Sequence, residues 1–210
     1  MMIDQSHAND VVFPPAVRRA QERLGSRGKG EFLEKKGRFS RPLSEDVRHF
    51  IALRDSFYLG TASADGRPYI QHRGGPRGFL KLLDDNTLAF ADFRGNRHYI
   101  SVGNLSENDQ AYLFLTDYTA QARVKLWGRA RVVEDDPALL ARLTEPSYDA
   151  VVERAIVFTI EAWDSNCDQH IPHLVHVDEV VEHLAAAKAR IEALESEVAH
   201  LKAQLSRPPV

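Results

Sequence analysis

Two short stretches of the sequence combine glycine with several positively charged side chains. The first runs from Gln71 to Lys81 and the second from Asp92 to Tyr99. Within the second, Gly95-Asn96-Arg97 stands where a strand is expected to end and a helix, from about Asn96 to Val102, is expected to begin. Unpaired backbone N–H groups and the positive end of the helix dipole favour an anion at such a position. The pattern therefore predicts a phosphate site.

The cations of these two stretches are the expected phosphate ligands. Arg73, Lys81 and Arg97 are predicted to converge on one phosphate group, to which arginine can donate two parallel hydrogen bonds. For any one of these side chains taken alone, an ordinary solvated strand residue is an equally good interpretation. The phosphate interpretation is favoured because the cations cluster with glycine at two places.

The elements that must position these residues are mostly short β-strands. Asp65-Gly66 predicts a tight hairpin, and Ser44 is the expected N-cap of a short helix that runs toward Leu53. Between residues 122 and 133 apolar and charged residues alternate with a period of two, so one face of that strand should be buried. Strands are expected at about 56–63, 68–73, 79–83, 87–92, 110–116, 122–133 and 155–163, with a helix at 137–143. Closely spaced strands without βαβ repeats predict a mainly β (α+β) fold, a barrel with short flanking helices.

Three regions are expected along the chain. Residues 1–43 form a charged, glycine-rich arm with one short helix from Pro15 to Leu24, followed by a flexible loop at 26–30, and the arm should pack on the main body. Residues 44–172 form the barrel, and residues 173–210 form a C-terminal helix and tail. In that helix Val177, Leu184, Ile191, Val198 and Leu205 are seven residues apart. This heptad repeat predicts a parallel coiled-coil dimer, with a single amphipathic helix lying on its own barrel as the alternative.

Composition excludes several classes of protein. The 210 residues carry a formal net charge of -3, which lacks the basic excess of a dedicated nucleic-acid binder. The chain's one cysteine, Cys167, cannot form an internal disulfide. The polar first residues do not resemble a signal peptide, and no apolar stretch is long enough to span a membrane. We therefore expect a cytoplasmic protein that binds neither nucleic acid nor membrane.

Four segments carry a resemblance to a known family. Phe57–Tyr69, Gln71–Pro76, Phe90–Arg97 and Lys125–Val132 resemble the FMN-binding split barrel of the pyridoxamine 5'-phosphate oxidase-like superfamily, and in particular a bacterial flavin-binding subgroup. The resemblance covers about residues 44–172. It implies a homodimer whose subunits bind FMN together at their interface.

The resemblance also implies roles for individual residues. Arg73 and Lys81 would meet the phosphate, and Asn96 and Arg97 would close over it. Asp92 would lie beside the ribityl chain or the flavin edge, and Arg123 or Lys125 would face the ring. Trp163 could cover the ring, although core packing is the more ordinary role for a tryptophan at a strand end. The complete set of expected cofactor-binding residues is Gln71, His72, Arg73, Lys81, Asp92, Gly95, Asn96, Arg97, Arg123, Lys125, Trp163, Asn166, Gln169 and His170.

The expected function is that of an FMN-dependent oxidoreductase, which passes a hydride between a reduced nicotinamide or small organic substrate and the flavin. Oxidation of pyridoxamine phosphate itself is not expected, because the C-terminal third lacks the Arg–His pair of the vitamin-pathway enzyme. Two alternatives remain, a non-catalytic flavin-binding or sensing module and a dimeric adaptor whose barrel has lost its cofactor; haem binding through His170 is a weaker third. His170, His173 and His176 are not expected to bind a metal, because Pro172 prevents a regular helix that would align them.

Overall fold

The computed structural model describes residues 3–166, 169–175 and 177–205. The described residues fall into two compact units. The first contains the residues up to Asp117 and those from Ala122 to Gln169, and the second contains Tyr118–Gln121 and the residues from His170 onward.

An antiparallel sheet of seven strands forms the centre of the first unit. Its strands are β1 (Ser56–Ala62), β2 (Pro68–Gly74), β3 (Lys81–Leu82), β4 (Thr87–Phe93), β5 (Gln110–Asp117), β6 (Ala122–Val133) and β7 (Val152–Asn166). Their order across the sheet is β2-β1-β5-β6-β7-β4-β3. The bounds of β6 match the expected strand, whereas β7 is longer at both ends than the 155–163 expected from the sequence.

The sheet curls into a barrel. β1 and β4 are four positions apart in the sheet order, so in a flat sheet they would be separated by about 19 Å at roughly 4.8 Å per strand. The rings of Phe57 on β1 and Phe90 on β4 nevertheless lie only 5.1 Å apart, centroid to centroid. The two edges of the sheet therefore approach each other around one apolar core, which receives side chains from β1, β4, β5, β6 and β7.

Local sequence explains several features of the barrel. The alternation predicted for β6 is confirmed, since Val124, Leu126 and Ala130 are buried. β6 has an irregular register with β7 between Trp127 and Gly128, and a side chain at Gly128 would place its Cβ 2.0 Å from the carbonyl oxygen of Thr159. Glycine is thus required for the two strands to pass this close.

Short helices flank the sheet. They are α1 (Gln5–Val12), α2 (Pro15–Arg23), α3 (Arg27–Lys35), α4 (Glu45–Ala52), α5 (Ile100–Glu107) and α6 (Pro137–Leu143). Ser44 caps α4 as predicted, its Oγ accepting a hydrogen bond from the N–H of Val47 at 3.4 Å. α2 and α6 also lie where the sequence predicted them.

The expected flexible loop at 26–30 is wrong, because these residues begin α3. The cause is a contact that cannot be read from local composition. The Glu34 carboxylate, mostly buried, accepts hydrogen bonds from Arg18 of α2 and from Arg27 of α3 itself. Gly30 lies beside the side-chain end of Gln21 of α2, whose Oε1 also accepts a hydrogen bond from Nη1 of Arg27 at 2.8 Å. These contacts offset the helix penalty of glycine.

The N-terminal arm packs on the barrel, as the sequence predicted. Ala8 and Phe39 form a buried apolar cluster with Ala162 of β7. The indole N–H of Trp163 donates to the carbonyl of Arg41 at 2.7 Å, and the backbone N–H of Trp163 donates to the carbonyl of Phe39 at 3.0 Å. The arm therefore extends the core instead of folding by itself.

The second unit contains the helix α7 (Val177–Leu205), which is 29 residues long. The segment before it is tied to Tyr118–Gln121: Gln121 donates to the carbonyl of Ile171 at 2.7 Å, and Thr119 to that of Leu174 at 2.9 Å. The helix is present where the heptad repeat predicted one, while its pairing with a second copy stays a prediction. In the part of the chain that the structure describes, no helix has the length and apolar character needed to cross a membrane.

Candidate anion-binding cleft

A cleft of about 140 Å³ opens on the first unit where the two edges of the curled sheet meet. It collects side chains from β2, β4, β7, the loop after β4 and the first turn of α5. The lining residues are Gln71, Arg73, Asp92, Phe93, Gly95, Asn96, Arg97, Tyr99, Ser101, Val102 and Glu153. Six of the residues expected to bind a cofactor are thus together: Gln71, Arg73, Asp92, Gly95, Asn96 and Arg97.

The curl of the sheet brings Arg73 of β2 against Asp92 of β4, although these strands are five positions apart in the sheet order. Nη1 of Arg73 lies 2.5 Å from Oδ1 of Asp92. Gln71 shares the inward-facing side of β2 and accepts a hydrogen bond from the hydroxyl of Ser101 at 2.8 Å. His72, between them, lies on the other side of β2, is exposed, and packs its ring edge-on against Tyr58. The period of two along a strand separates His72 from its neighbours.

The helix expected from Asn96 begins four residues later, at Ile100. The side-chain oxygen of Asn96 accepts from the backbone N–H of His98 at 3.1 Å, a local turn that competes with a helical start. Arg97 and Tyr99 both have left-handed backbone angles, with φ of 62° and 54°. Ser101 and Val102 in the first turn of α5 line the cleft, so the predicted helix start is displaced along the chain but remains at the site.

Charged side chains that sequence analysis did not select also surround the cleft. Asp92 is 6% exposed and lies between Arg73 and Arg154, whose Nε is 3.9 Å from Oδ2 of Asp92. The guanidinium of Arg154 stacks over the ring of Tyr99 at 4.8 Å. Arg154 of β7 lies opposite Asp92 of β4, and this strand pairing is the signal that could have revealed it. The sequence analysis missed Arg154 because the strand was expected to begin only at Ala155.

Glu153 is a second carboxylate at the cleft. Its Oε1 accepts from Nε of Arg94 at 2.9 Å and from the hydroxyl of Tyr99 at 3.3 Å. The hydrogen bond from Arg94 is the main reason that the pKa of Glu153 lies below its ordinary value. The hydroxyl of Tyr99 also accepts from Nε of Arg97 at 3.4 Å, so Tyr99 connects the exposed Arg97 to this carboxylate.

The donors of the cleft fit one end of a phosphorylated cofactor. Nε of Arg73 is buried and makes no hydrogen bond. A buried donor without a partner is costly, and an anionic oxygen is the kind of group that satisfies it. Pockets for whole ligands of cofactor size measure about 300–1,000 Å³. The cleft of one chain is therefore large enough for a phosphate group and too small for a complete cofactor.

Four other predicted residues lie elsewhere. Lys81 of β3 is half-buried and is not among the residues that line the cleft. Arg123 lines a separate and wider cleft of about 410 Å³ beside α4, together with Arg38 and Asp46. Nζ of Lys125 lies 3.7 Å from Oδ2 of Asp164. Trp163 is 1% exposed, so the structure shows core packing and no exposed indole face for a ring to cover.

The last three predicted residues follow Trp163. Asn166 ends β7, paired with Arg123, and its side chain lies outside the described residues. Gln169 and His170 are exposed, and His170 has a φ of 64°. Cys167 and His176 lie outside the described residues. Among the described residues, no group of three or more His, Cys, Asp or Glu side chains is arranged to hold a metal ion.

The family model described as pyridoxamine 5'-phosphate oxidase matches residues 43–167, more than half of the chain. The chain therefore belongs to the pyridoxamine 5'-phosphate oxidase family, and its fold is the split barrel of that family, as the motifs predicted. No curated protein matches the chain.

Several solved structures are similar to the chain at low sequence identity. HupZ of Group A Streptococcus is 13% identical with a TM-score of 0.49, over 63% of this chain and 98% of that one. An FMN-binding protein from Syntrophomonas wolfei is 17% identical with a TM-score of 0.47, over 75% of this chain and 99% of that one. HutZ, the haem storage protein of Vibrio cholerae, is 15% identical with a TM-score of 0.40, over 58% of this chain and 92% of that one.

Proposed function

We propose that the chain is a flavoprotein that binds FMN with its phosphate in the cleft between β2, β4 and α5. The observation that carries the proposal is the convergence of Arg73, Arg97 and the first turn of α5 on one small cleft. Asn96 and Arg97 close over the phosphate from the loop, and Arg73 offers its buried, unpaired Nε. Cations and helix amides together form the usual setting for a phosphate monoester.

The proposal includes a homodimer in which both subunits contribute to the cofactor site. The support is the size of the cleft, about 140 Å³, which leaves most of a flavin mononucleotide outside it. The β6 residues Arg123 and Lys125 lie outside the cleft of their own chain, and the proposal assigns them to the ring portion of the FMN whose phosphate a second subunit binds. A fixed cation near the flavin ring would stabilise the negative charge of its reduced form.

The proposed activity is that of an oxidoreductase. When bound, FMN would supply the hydride chemistry, in exchange with a reduced nicotinamide or a small organic substrate. The chain itself would bind the phosphate, fix the orientation of the cofactor and hold cations beside it. Asp92, held between two guanidinium groups, keeps Arg73 and Arg154 in fixed positions at the cleft.

The first test is the pigment of the purified protein. Flavin absorption bands, followed by release and identification of FMN by mass, are expected. A colourless protein that does not take up added FMN would refute the proposal and favour the adaptor without a cofactor. A Soret band would indicate haem. Steady consumption of NADH or NADPH would indicate an enzyme, and a yellow protein without turnover on any donor would indicate a sensing module.

The second test concerns Arg97, which is exposed at the rim of the cleft. Arg97→Ala should weaken FMN binding by about tenfold, because it removes one hydrogen bond to a charged group. Fluorescence titration with FMN measures the effect. Arg19→Ala, on the exposed side of α2, is the matched control and should leave FMN affinity unchanged. Equal FMN affinity in the two variants would refute the role of Arg97.

A further inference from the structure

The helix α7 carries a stripe of exposed apolar side chains that the proposed flavin site does not use. Val177, Leu184, Ile191 and Val198 recur every seven residues, and all four are exposed, Leu184 by 64%. Val180, Leu194 and Leu201, which are also exposed, fill the second position of the repeat, with Ala187 between them. A helix with such a stripe is of marginal stability in water unless the stripe is covered.

We propose that α7 pairs with α7 of a second copy of this chain as a parallel, two-stranded coiled coil. The helix is 29 residues long, which gives about four heptads and roughly 43 Å of contact. β-Branched residues at the first seam position (Val177, Ile191 and Val198) together with leucine at the second (Leu194 and Leu201) favour two strands. The seam is narrow, as expected for a two-helix contact and not for a helix lying on a broad surface.

The charges beside the seam identify the second copy as the occupant, and the seam residues set its direction. In a parallel pair Arg190 lies next to Glu195 of the partner subunit, and Glu197 lies next to Lys202 of the partner subunit. Of the two antiparallel registers with nearly full overlap, one pairs Arg190 with Arg190 of the partner subunit, and the other pairs Arg190 with Glu197 of the partner subunit. Opposite charges therefore favour two copies of this helix in contact, and the β-branched and leucine positions of the seam favour the parallel arrangement.

Cysteine cross-linking of the full chain tests both the pairing and its direction. In a Cys167→Ser background, Leu194→Cys places a thiol on the seam, where identical residues of a parallel pair face each other. Mild oxidation should give a disulfide-linked dimer. Ser196→Cys, on the opposite side of the same helical turn, is the matched control and should remain mostly monomeric on a non-reducing gel. Equal cross-linking of the two variants, or none in either, would overturn the proposal.

A mixture of two variants tests the antiparallel arrangement directly. In one antiparallel register residue 184 of one copy faces residue 194 of the other, and in the second register it faces residue 201. Leu184→Cys chains are therefore oxidised together with Leu194→Cys or with Leu201→Cys chains of different length, and one of the two mixtures should give mainly the mixed product if the pair is antiparallel. For the parallel pair the mixed product should be scarce, and each variant should link to itself. A dominant mixed product would therefore overturn the parallel assignment.

Charge reversal tests whether the flanking residues pair across the interface. Arg190→Glu in the Leu194→Cys background should slow cross-linking several-fold, because it places like charges at the contact with Glu195 of the partner subunit. Adding Glu195→Arg should restore the original rate. Failure of the double variant to recover, with helix content unchanged by circular dichroism, would contradict the assigned pairs. None of these measurements depends on flavin, so they stand or fall separately from the proposed function.

Discussion

Two regions of the barrel carry similar residues and differ in what those residues contact. The cleft has Arg73 and Arg97 beside Asp92, whereas the β6–β7 face, defined as Trp163 and Asp164 of β7 with Arg38 of the arm beside them, has a similar mixture of cation, carboxylate and aromatic ring. At the cleft Arg73, Arg97 and Asp92 border an open volume of about 140 Å³. On the β6–β7 face the N-terminal arm supplies partners, with Arg38 bound to Asp164 and the Arg41 carbonyl bound to Trp163.

The difference shows that residue type alone does not distinguish a binding site from a structural contact. A neighbouring chain segment decides the outcome, because it either forms hydrogen bonds with the polar groups or leaves them accessible to a ligand. In this protein the arm covers Trp163 and half-covers Asp164, while the neighbouring segments at the cleft leave its side chains beside an open volume. We therefore expect substitutions in the β6–β7 face to change mainly stability, and substitutions in the cleft to change mainly binding.

The largest expected effect is on stability. Trp163→Ala should lower the free energy of unfolding by about 3–5 kcal/mol, because it removes a fully buried indole and leaves a cavity. Denaturant unfolding measures the loss. Trp163→Phe keeps most of the volume and removes the hydrogen bond to Arg41, so it should cost less. If Trp163→Ala remained stable and lost flavin, Trp163 would belong to the binding site and the distinction between the regions would fail.

The next prediction concerns Arg73. Arg73→Ala should weaken FMN binding by roughly 10–150-fold, the equivalent of about 1.5–3 kcal/mol for a hydrogen bond to a charged group. Riboflavin binding should change much less, because riboflavin lacks the phosphate. Parallel titrations with the two flavins measure the difference, and equal weakening of both would show that Arg73 is not at the phosphate.

Arg73→Ala also leaves Asp92 short of a partner in a buried position, which by itself destabilises the fold. The double variant Arg73→Ala/Asp92→Asn separates the two effects. It should recover stability, because the uncompensated carboxylate is gone, while FMN affinity stays low. Recovery of FMN affinity together with stability would mean that Arg73 acts only by keeping Asp92 paired.

How far the sequence predicts this molecule depends on the range of the interactions involved. Patterns within one element were sufficient for β6, α4 and α6, because periodicity, an N-cap serine and an N-terminal proline act locally. The residues from Arg27 to Gly30 were predicted to form a loop, although they begin α3. The contacts of Glu34 with Arg18 and Arg27 connect two helices, so no pattern within this segment alone could reveal them.

The same distinction applies to the cleft. The Gly-Asn-Arg turn and the run from Gln71 to Pro76 predicted Gln71, Arg73, Asn96 and Arg97, which the structure brings together. The same run also predicted His72, which the alternation along β2 places on the other side of the strand. Glu153 and Arg154 were missed because they come from β7, more than fifty residues further along the chain than β4. Only the pairing of the two strands places them at the site.

A smaller effect is expected at the contact between the arm and the barrel. Arg38→Ala removes the ion pair of Nε with Asp164 at 2.7 Å and a hydrogen bond to the carbonyl of Ser165. Because the side chain of Arg38 is 30% exposed, the cost should be about 1 kcal/mol. Denaturant unfolding measures it, and FMN affinity should be unchanged. A loss of FMN affinity without a loss of stability would show that the contact of Arg38 with Asp164 belongs to the binding site.

The smallest predicted effect is the titration of Glu153 at the rim of the cleft. Its pKa is lowered chiefly by the hydrogen bond from Arg94. A carboxyl group whose pKa is depressed in the folded state stabilises the fold above its ordinary pKa, and that contribution is lost as the pH falls through the depressed value. NMR titration of the side-chain carboxyl carbon should show Glu153 titrating below an ordinary glutamate, and Arg94→Ala should raise its pKa toward the ordinary value. Lys35→Ala, in the arm, is the control and should leave the titration unchanged. An unchanged pKa in Arg94→Ala would show that Tyr99 or Arg154, and not Arg94, lowers the pKa of Glu153.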